Sequence, residues 1–183
     1  KLSNIFYRSF TYDEIESLDE PKIDSSCNIS HSAVIQNGAI IGKNVNINDG
    51  CHVGYNCIIG DNTSVDRNTV ITNSIIAENV QVGRNSSIGQ QGFGFAISKN
   101  KNINIFHTGR VIIQAGVYIG SNCTIDRGSF GDTIIGQNTY FDNLCHIAHN
   151  VIIGSNCIFA AMTGIAGSTN IGNDVMTGGQ VGI

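Results

Sequence analysis

Residues 41–65 read IGKNVNINDGCHVGYNCIIGDNTSV, and this stretch decides the fold. A large aliphatic residue recurs at every sixth position, at Ile41, Ile47, Val53, Ile59 and Val65. Glycine often follows one residue later, and asparagine often lies three residues later. This period matches neither the repeat of about 3.6 residues in a helix nor the two-residue alternation of an isolated strand. It is typical of a short strand and a tight turn, repeated many times, with Gly and Asn supplying the turn conformations.

The same spacing extends over most of the chain. It runs from residue 23 to 71, continues after a one-residue slip to residue 88, restarts at 113, slips again and continues from 135 to 171. Three hexads make one triangular coil of about 18 residues, and stacked coils form a parallel β-helix. We therefore expect an all-β fold, a parallel β-helix of hexapeptide repeats over residues 23–183.

Two segments lie outside the period. Residues 1–22 are expected to lead into the first coil, with a short helix near residues 12–18, because Thr11–Glu14 matches a capping box. Residues 89–110 interrupt the repeat and are expected to form an excursion loop. Long loops on a rigid scaffold often carry function.

Composition excludes several classes of protein. The chain has 183 residues, of which 41% are apolar and 13% are charged, and its net charge of -4 argues against a nucleic-acid-binding domain. No apolar run approaches the ~18 residues of a membrane span, and no secretory leader is visible. All six cysteines lie at the fifth position of their hexads, where small inward-facing residues are expected. This pattern favours reduced core thiols over a disulfide framework or a zinc site.

The segment Cys145–Asn150 reads CHIAHN and is the first candidate for chemistry. Ile147 takes the inward position, so His146 and His149 face outward. A neutral imidazole suits the role of general base near pH 7, while surface histidines without a catalytic role and a metal pair are the alternatives. Gly167 lies 18 residues after His149, so we expect it one coil above, about 5 Å away. Its backbone N–H could stabilise an oxyanion there, or it is a plain turn glycine.

Two further places carry unusual side chains for a chain so poor in charge. Asp126 and Asp142 either form structural ion pairs or position the histidines or a substrate. The excursion contains Phe93 and Phe95 near its start and His107 near its end. Exposed phenylalanines suggest an apolar contact with a neighbouring subunit or with an apolar ligand.

Several motifs, in this order, resemble those of the UDP-3-O-(3-hydroxyacyl)glucosamine N-acyltransferases. They are IGQQGFGFA, TGRVII, IGSNCTIDRGSFGDTIIG, FDNLCHIAHNVIIGSN and IAGSTNIG, and they cover about residues 88–183. The resemblance implies a left-handed β-helix and a homotrimer with active sites between subunits. It implies transfer of a 3-hydroxyacyl chain from acyl carrier protein to the 2-amine of a UDP-linked, 3-O-acylated glucosamine. The reaction belongs to lipid A biosynthesis in the cytoplasm of Gram-negative bacteria, and it needs no cofactor beyond the phosphopantetheine on the carrier.

The resemblance also assigns roles to residues. The family's catalytic histidine, in its IAHN motif, corresponds to His149, and its oxyanion glycine, in AGS, corresponds to Gly167. Direct transfer without an acyl-enzyme leaves Cys145 as a core residue. The remaining expected site residues are supporting groups and groups that line an acyl groove or a subunit interface: Asp126, Asp142, Asn143 and His146 in the first class, and Phe93, Phe95 and His107 in the second.

Departures from the family pattern fall mainly in the excursion. The family usually has a Trp and an Ile-Pro-Gln run where this chain has Ile105–His107, and Gly131 replaces a common second Asp. The family also carries an N-terminal uridine-binding domain, further coils with a second functional histidine, and C-terminal helices. We find none of these in residues 1–183 and therefore expect this chain to be truncated at both ends and weakly active or inactive alone.

Three other functions are compatible with parts of the sequence. One is a hexapeptide sugar acetyltransferase or acyltransferase that uses acyl-CoA. Another is a metal-dependent, carbonic-anhydrase-like β-helix, for which His107, His146 and His149 are the candidate ligands. The third is a non-catalytic scaffold. The length of the acyl chain is not encoded in any motif, because it depends on side chains from two subunits.

Overall fold

The computed structural model describes residues 18–183 and, within them, consists of strands and turns. The helix expected near residues 12–18 lies outside the described residues except for Leu18. Most strands are only two residues long, and parallel pairing arranges them in three sheets. The three sheets are the faces of a left-handed triangular coil, so the predicted hexapeptide β-helix is confirmed.

We number the strands in chain order and name the three faces A, B and C. Face A contains β1 (Lys22–Ile23), β4 (Ile40–Ile41), β7 (Ile58–Ile59), β10 (Ser74–Ile76), β15 (Val111–Ile113), β18 (Thr133–Ile135), β21 (Ile152–Ile153) and β24 (Asn170–Ile171). Face B contains β2 (Asn28–Ile29), β5 (Asn46–Ile47), β8 (Ser64–Val65), β11 (Gln81–Val82), β16 (Tyr118–Ile119), β19 (Tyr140–Phe141), β22 (Ile158–Phe159) and β25 (Met176–Thr177). Face C contains β3 (Val34–Ile35), β6 (His52–Val53), β9 (Val70–Ile71), β12 (Ser87–Gln90), β17 (Thr124–Asp126), β20 (His146–Ile147) and β23 (Gly164–Ile165).

The core is a set of columns of stacked side chains. Equivalent residues of successive coils pair in register, as Ile125 does with Ile147 and Ile147 with Ile165. Phe141 and Phe159 continue one column as parallel rings 5.0 Å apart. Burying one such apolar side chain contributes about 1.5–3 kcal/mol, which explains why the six-residue period tolerates so few exceptions. Ile23, on the first coil of the described residues, is 43% exposed.

The cysteines fill inward positions as expected. All six are free thiols, and all are buried except Cys27, which is half-buried on the first described coil. Each therefore behaves as a small core residue.

The corners of the coil explain the asparagines. Sixteen non-glycine residues of the described chain have positive φ, and eleven of them are asparagines with φ between 48° and 60°. Asparagine tolerates this left-handed conformation better than most residues. Stacked corner asparagines also bind each other, since Asn44 Nδ2 donates to Asn62 Oδ1 over 3.1 Å.

The excursion, predicted at residues 89–110, spans residues 91–110 in the structure and leaves the coil at the corner that joins face C to face A. Two strands, β13 (Phe95–Ile97) and β14 (Asn102–Asn104), form an antiparallel hairpin within it. The coil resumes without a register error, because Ile113 of β15 stacks on Ile76 of β10. A second, shorter excursion at residues 127–132 leaves the same corner one coil later. No helix within residues 18–183 is both long and apolar enough to span a bilayer.

Candidate active site

The corner between faces C and A brings most of the candidate residues together. Its successive turns hold the two excursions, then residues 148–151 with His149, then residues 166–169 with Gly167. The first excursion and the turns that hold His149 and Gly167 border an open groove of about 720 Å³. The groove is lined mainly by apolar atoms, and its lining residues include Gln91, Phe93, Asp126, His146, His149 and Gly167.

His149 is half-buried, and one of its ring nitrogens is held by the next residue. Its Nδ1 lies 3.1 Å from Asn150 Oδ1, which also accepts the Ser129 N–H over 2.9 Å. Because Asn150 Oδ1 accepts both bonds, Nδ1 of His149 carries the proton in the neutral ring. Nε2 is then the basic nitrogen. This is the tautomer that a general base requires.

Gly167 lies directly over His149, as the 18-residue spacing predicts. The Ser168 N–H donates to the His149 carbonyl over 2.9 Å, which fixes the two turns against each other. A Cβ atom placed on Gly167 would lie 2.7 Å from His149 Nε2, so only glycine leaves that nitrogen accessible. The Gly167 N–H forms no hydrogen bond within residues 18–183. The basic nitrogen of His149 therefore lies against a residue whose backbone donor is unused within the described residues.

Asp126 and His146 also line the groove. Asp126 is only 5% exposed, accepts a 2.6 Å bond from Gln90 Nε2, and its Oδ2 lies 3.9 Å from His146 Nε2. Burial, the largest effect, raises the pKa of the Asp126 carboxyl, although His146 and the Gln90 bond oppose the shift. His146 is exposed, and its Nδ1 lies 2.7 Å from Thr124 Oγ1.

We expect Asp126→Asn to stabilise the fold at neutral pH. A raised pKa in the folded state means that the carboxyl stabilises the protein only when protonated. That contribution is lost as the pH rises through the raised pKa, so the buried carboxylate is unfavourable at pH 7. At pH 7 the melting temperature of the variant should exceed that of the wild type by about 2–4 °C for each ~1 kcal/mol gained in the free energy of unfolding. The difference in melting temperature between the two proteins should shrink toward pH 4.

The matched control for Asp126→Asn is Asp132→Asn. Arg110 binds Asp132 over 3.0 Å and, with its hydrogen bonds, lowers the pKa of that carboxyl against the opposing effect of burial. A carboxyl whose pKa is lower in the folded state stabilises the protein at pH values above its unfolded-state pKa. Asp132→Asn should therefore have a lower melting temperature than the wild type at pH 7. A lower melting temperature for Asp126→Asn as well would contradict the assignment of an unfavourable buried charge.

Several expected site residues lie elsewhere. Phe95 packs edge-on against Phe93, with ring centroids 4.5 Å apart, and is not part of the groove wall. His107, expected to line the groove or an interface, is instead 3% exposed and lies behind His149. Asp142 and Asn143 belong to the corner between faces B and C, where Asn143 Oδ1 accepts the Ser121 N–H. Within one chain, this pair therefore does not support His149.

Asn150 is the functional candidate that the sequence analysis missed. Its side chain joins His149 to the second excursion through Ser129, and its Nδ2 also reaches the Gly131 carbonyl over 3.4 Å. An asparagine is expected at this corner in any case, because its φ is 60°. The turn alone explains an asparagine at position 150, so the sequence offered no separate reason to assign it a functional role. The only sequence feature that pointed to such a role was its position next to His149.

We expect Asn150→Gly to lower turnover by about 10- to 100-fold, as the loss of a group that orients a functional histidine commonly does. Glycine keeps the positive φ without strain, so the variant removes the side chain alone. The control is Asn156→Gly, which has the same φ class (59°) at a corner away from the groove and should retain full activity. Equal rates for the two variants would contradict an orienting role for Asn150.

The histidines do not form a metal centre within one chain. In the part of the chain that the structure describes, no three His, Cys, Asp or Glu side chains are placed to hold a metal ion. The ring nitrogens of His107 face the Arg127 carbonyl at 3.3 Å and Ser129 Oγ at 3.4 Å.

Comparison with known proteins supports the interpretation of the motifs. Residues 132–167 match the family described as bacterial transferase hexapeptide (six repeats), and residues 18–106 match the GMPPB C-terminal domain family. Curated proteins named UDP-3-O-acylglucosamine N-acyltransferase are 53% identical over 95 residues in Methylobacterium nodulans and 54% identical over 80 residues in Maricaulis maris. The aligned segments cover 52% and 44% of this chain, but only 27% and 23% of those proteins.

Solved structures with a similar fold are acyltransferases that carry a different name. The UDP-N-acetylglucosamine O-acyltransferase of Moraxella catarrhalis is 31% identical, with a TM-score of 0.66, over 87% of this chain and 59% of its own. The UDP-N-acetylglucosamine acyltransferase of Bacteroides fragilis has a TM-score of 0.71 at 26% identity, over 85% of this chain and 66% of its own. The chain is thus a hexapeptide-repeat β-helix that, over about half its length, is homologous to the UDP-3-O-acylglucosamine N-acyltransferases.

Proposed function

We propose that this hexapeptide-repeat domain, a homologue of the UDP-3-O-acylglucosamine N-acyltransferases, catalyses N-acylation of a UDP-linked glucosamine in lipid A biosynthesis. The acceptor is the 2-amine of UDP-3-O-(3-hydroxyacyl)glucosamine, and the donor is a 3-hydroxyacyl thioester of acyl carrier protein. The observation that carries the proposal is the placement of His149 Nε2 beneath the backbone of Gly167, at the edge of an apolar groove. The high identity to enzymes of this name supports the choice of substrate.

The proposed reaction is a direct transfer. The acceptor amine attacks the thioester carbonyl carbon, a C–N bond forms, and His149 Nε2 takes the proton that the nitrogen loses. The Gly167 N–H stabilises the oxyanion of the tetrahedral intermediate. As the C–S bond breaks, the imidazolium of His149 returns its proton to the departing sulfur. This sequence of steps needs no acyl-enzyme intermediate. Cys145 is buried in the core and has no part in the proposed reaction.

The apolar wall of the groove suits an acyl chain. Phe93 is 81% exposed, and Ala148 and Ile165 also line the groove. Phe93 and Phe95 form an exposed aromatic pair, and contact with an acyl chain or with a second copy would cover it. We include in the proposal a homotrimer with sites between subunits, acyl carrier protein as partner, and a cytoplasmic location, to which the free cysteines are suited.

The test is an acyl-transfer assay followed by mass spectrometry on the complete natural protein that carries this sequence. The acceptor is offered with 3-hydroxyacyl carrier proteins of several chain lengths and, in parallel, with acetyl-CoA and 3-hydroxyacyl-CoA. We expect an N-acylated product from the carrier-protein donors, with one preferred chain length. Efficient transfer from acetyl-CoA alone would instead identify a sugar acetyltransferase. No product from any donor would reject acyl transfer.

A further inference from the structure

His107 differs from the other four histidines because its side chain alone is buried, at 3% exposure. It lies at the end of the first excursion, and its backbone N–H donates to Gln91 Oε1 over 3.2 Å. Its ring packs edge-on against that of His149, with centroids 5.0 Å apart and planes at 75°. The mechanism described above gives this residue no part.

The hydrogen-bond partners of both ring nitrogens of His107 fit a neutral ring. A carbonyl oxygen only accepts hydrogen bonds, so Nδ1, 3.3 Å from the Arg127 carbonyl, carries the proton. Nε2 then accepts from the Ser129 hydroxyl, 3.4 Å away. A second proton on Nε2 would reverse that contact and place a charge inside the excursion.

The first excursion closes tightly over both rings. A Cβ atom on Gly92 would lie 2.5 Å from His107 Cε1 and 3.0 Å from His149 Cβ, and one on Gly94 would lie 2.6 Å from His107 Nε2. Only glycine at these two positions allows the close approach. His149 is therefore confined by the buried His107 ring beside it and by Asn150 at its Nδ1.

We propose that His107 is a positioning residue, whose neutral ring holds the His149 imidazole with Nε2 toward the groove and whose protonation in acid removes that support. The part of this inference that concerns turnover rests on the proposed function. The part that concerns the geometry of the His107 and His149 rings does not.

The charged and titratable groups around His107 are His149, Asp126 and Arg127. Burial, the largest effect, lowers the pKa of His107, and the charges of His149 and Arg127 act in the same direction, whereas the Arg127 carbonyl and Asp126 oppose it. The lowered pKa favours the neutral form of the His107 ring. A charge on His107 would lie in a ring whose centroid is 5.0 Å from that of His149, and it would disturb the hydrogen bonds that hold the His107 ring.

NMR titration of the ring nitrogens tests the geometry without any assay of activity. In the wild type at neutral pH, we expect the Nδ1–H tautomer for both His107 and His149, because each Nδ1 faces an oxygen that only accepts. His107→Ala, which removes the neighbouring ring, should change the ring-nitrogen shifts of His149 and mix its tautomers. His52→Ala, on face C away from the groove, should leave those shifts unchanged. Identical His149 shifts in the wild type and His107→Ala, or a protonated His107 at neutral pH, would overturn the proposal.

Kinetics on the complete natural protein supply the second readout. At pH 8, His107→Gln should keep turnover within about threefold, while His107→Ala should lose about tenfold or more in kcat with little change in KM. The acid limb of log kcat/KM against pH should fall from a slope near two in the wild type to a slope of one in His107→Gln. An unchanged slope would contradict the proposal. If the wild type forms no amide product, the proposed function fails and the NMR titration alone decides this inference.

Discussion

Replacing His149 with alanine should lower kcat for acyl transfer by about 10²- to 10⁴-fold, the usual contribution of a general base. The side chain is half-buried at a corner, and the contact that stacks the two turns uses its backbone carbonyl, to which the Ser168 N–H donates over 2.9 Å. The substitution therefore removes the basic nitrogen and leaves the coil intact. The rate is measured as amide product formed per enzyme under saturating substrates.

The control for this result is His52→Ala, because His52 lies on face C, two residues from the next face C to face A corner, and outside the groove. It should have wild-type activity. Circular dichroism and melting curves should agree within a few degrees for the wild type and both variants. A His149→Ala enzyme within about threefold of the wild-type rate would remove the general base from the account.

Gly167→Ala is the second substitution for which we expect a large loss of activity, although it adds only a single methyl group. The new Cβ would lie 2.7 Å from His149 Nε2 and 2.8 Å from Cε1, closer than side-chain atoms approach one another. Either the imidazole turns away from its position or the methyl group blocks the amine from reaching Nε2. We expect a loss of about 100-fold or more, comparable with removal of an oxyanion donor, even though the backbone N–H remains.

Gly131→Ala is the control for Gly167→Ala. The nearest atom to a Cβ at Gly131 is Asn150 Nδ2 at 3.7 Å, which is an ordinary contact. Its activity and melting temperature should match those of the wild type. Full activity in Gly167→Ala would show that Nε2 does not need the space that this glycine leaves open.

The fold could be predicted almost completely because a six-residue period leaves a strand few choices. Once Ile41, Ile47 and Val53 point inward, the next coil must stack them in register, and Asn at the corners supplies the positive φ. The antiparallel hairpin at Phe95–Ile97 and Asn102–Asn104 could not be predicted, since it lies where the period stops and no local turn motif identifies it.

The site was predicted where spacing alone determines it. The 18-residue interval put Gly167 over His149, and the structure shows this stacking. Asp142 and Asn143 were assigned by resemblance, yet counting hexads places them one corner before His149. His107 was expected to line the acyl groove or a subunit interface. Its burial depends on Gly92, Gly94 and Ser129, which come from two separate excursions that no repeat pattern relates.

The most direct test of the central claim is the position of the new acyl group. The complete natural protein is given UDP-3-O-(3-hydroxyacyl)glucosamine and a 3-hydroxyacyl carrier protein, and tandem mass spectrometry locates the transferred chain. The account predicts an amide on the 2-amine in the wild type, and its loss in His149→Ala without loss of fold. Transfer to a hydroxyl group, or an amide that forms equally fast without His149, would contradict it.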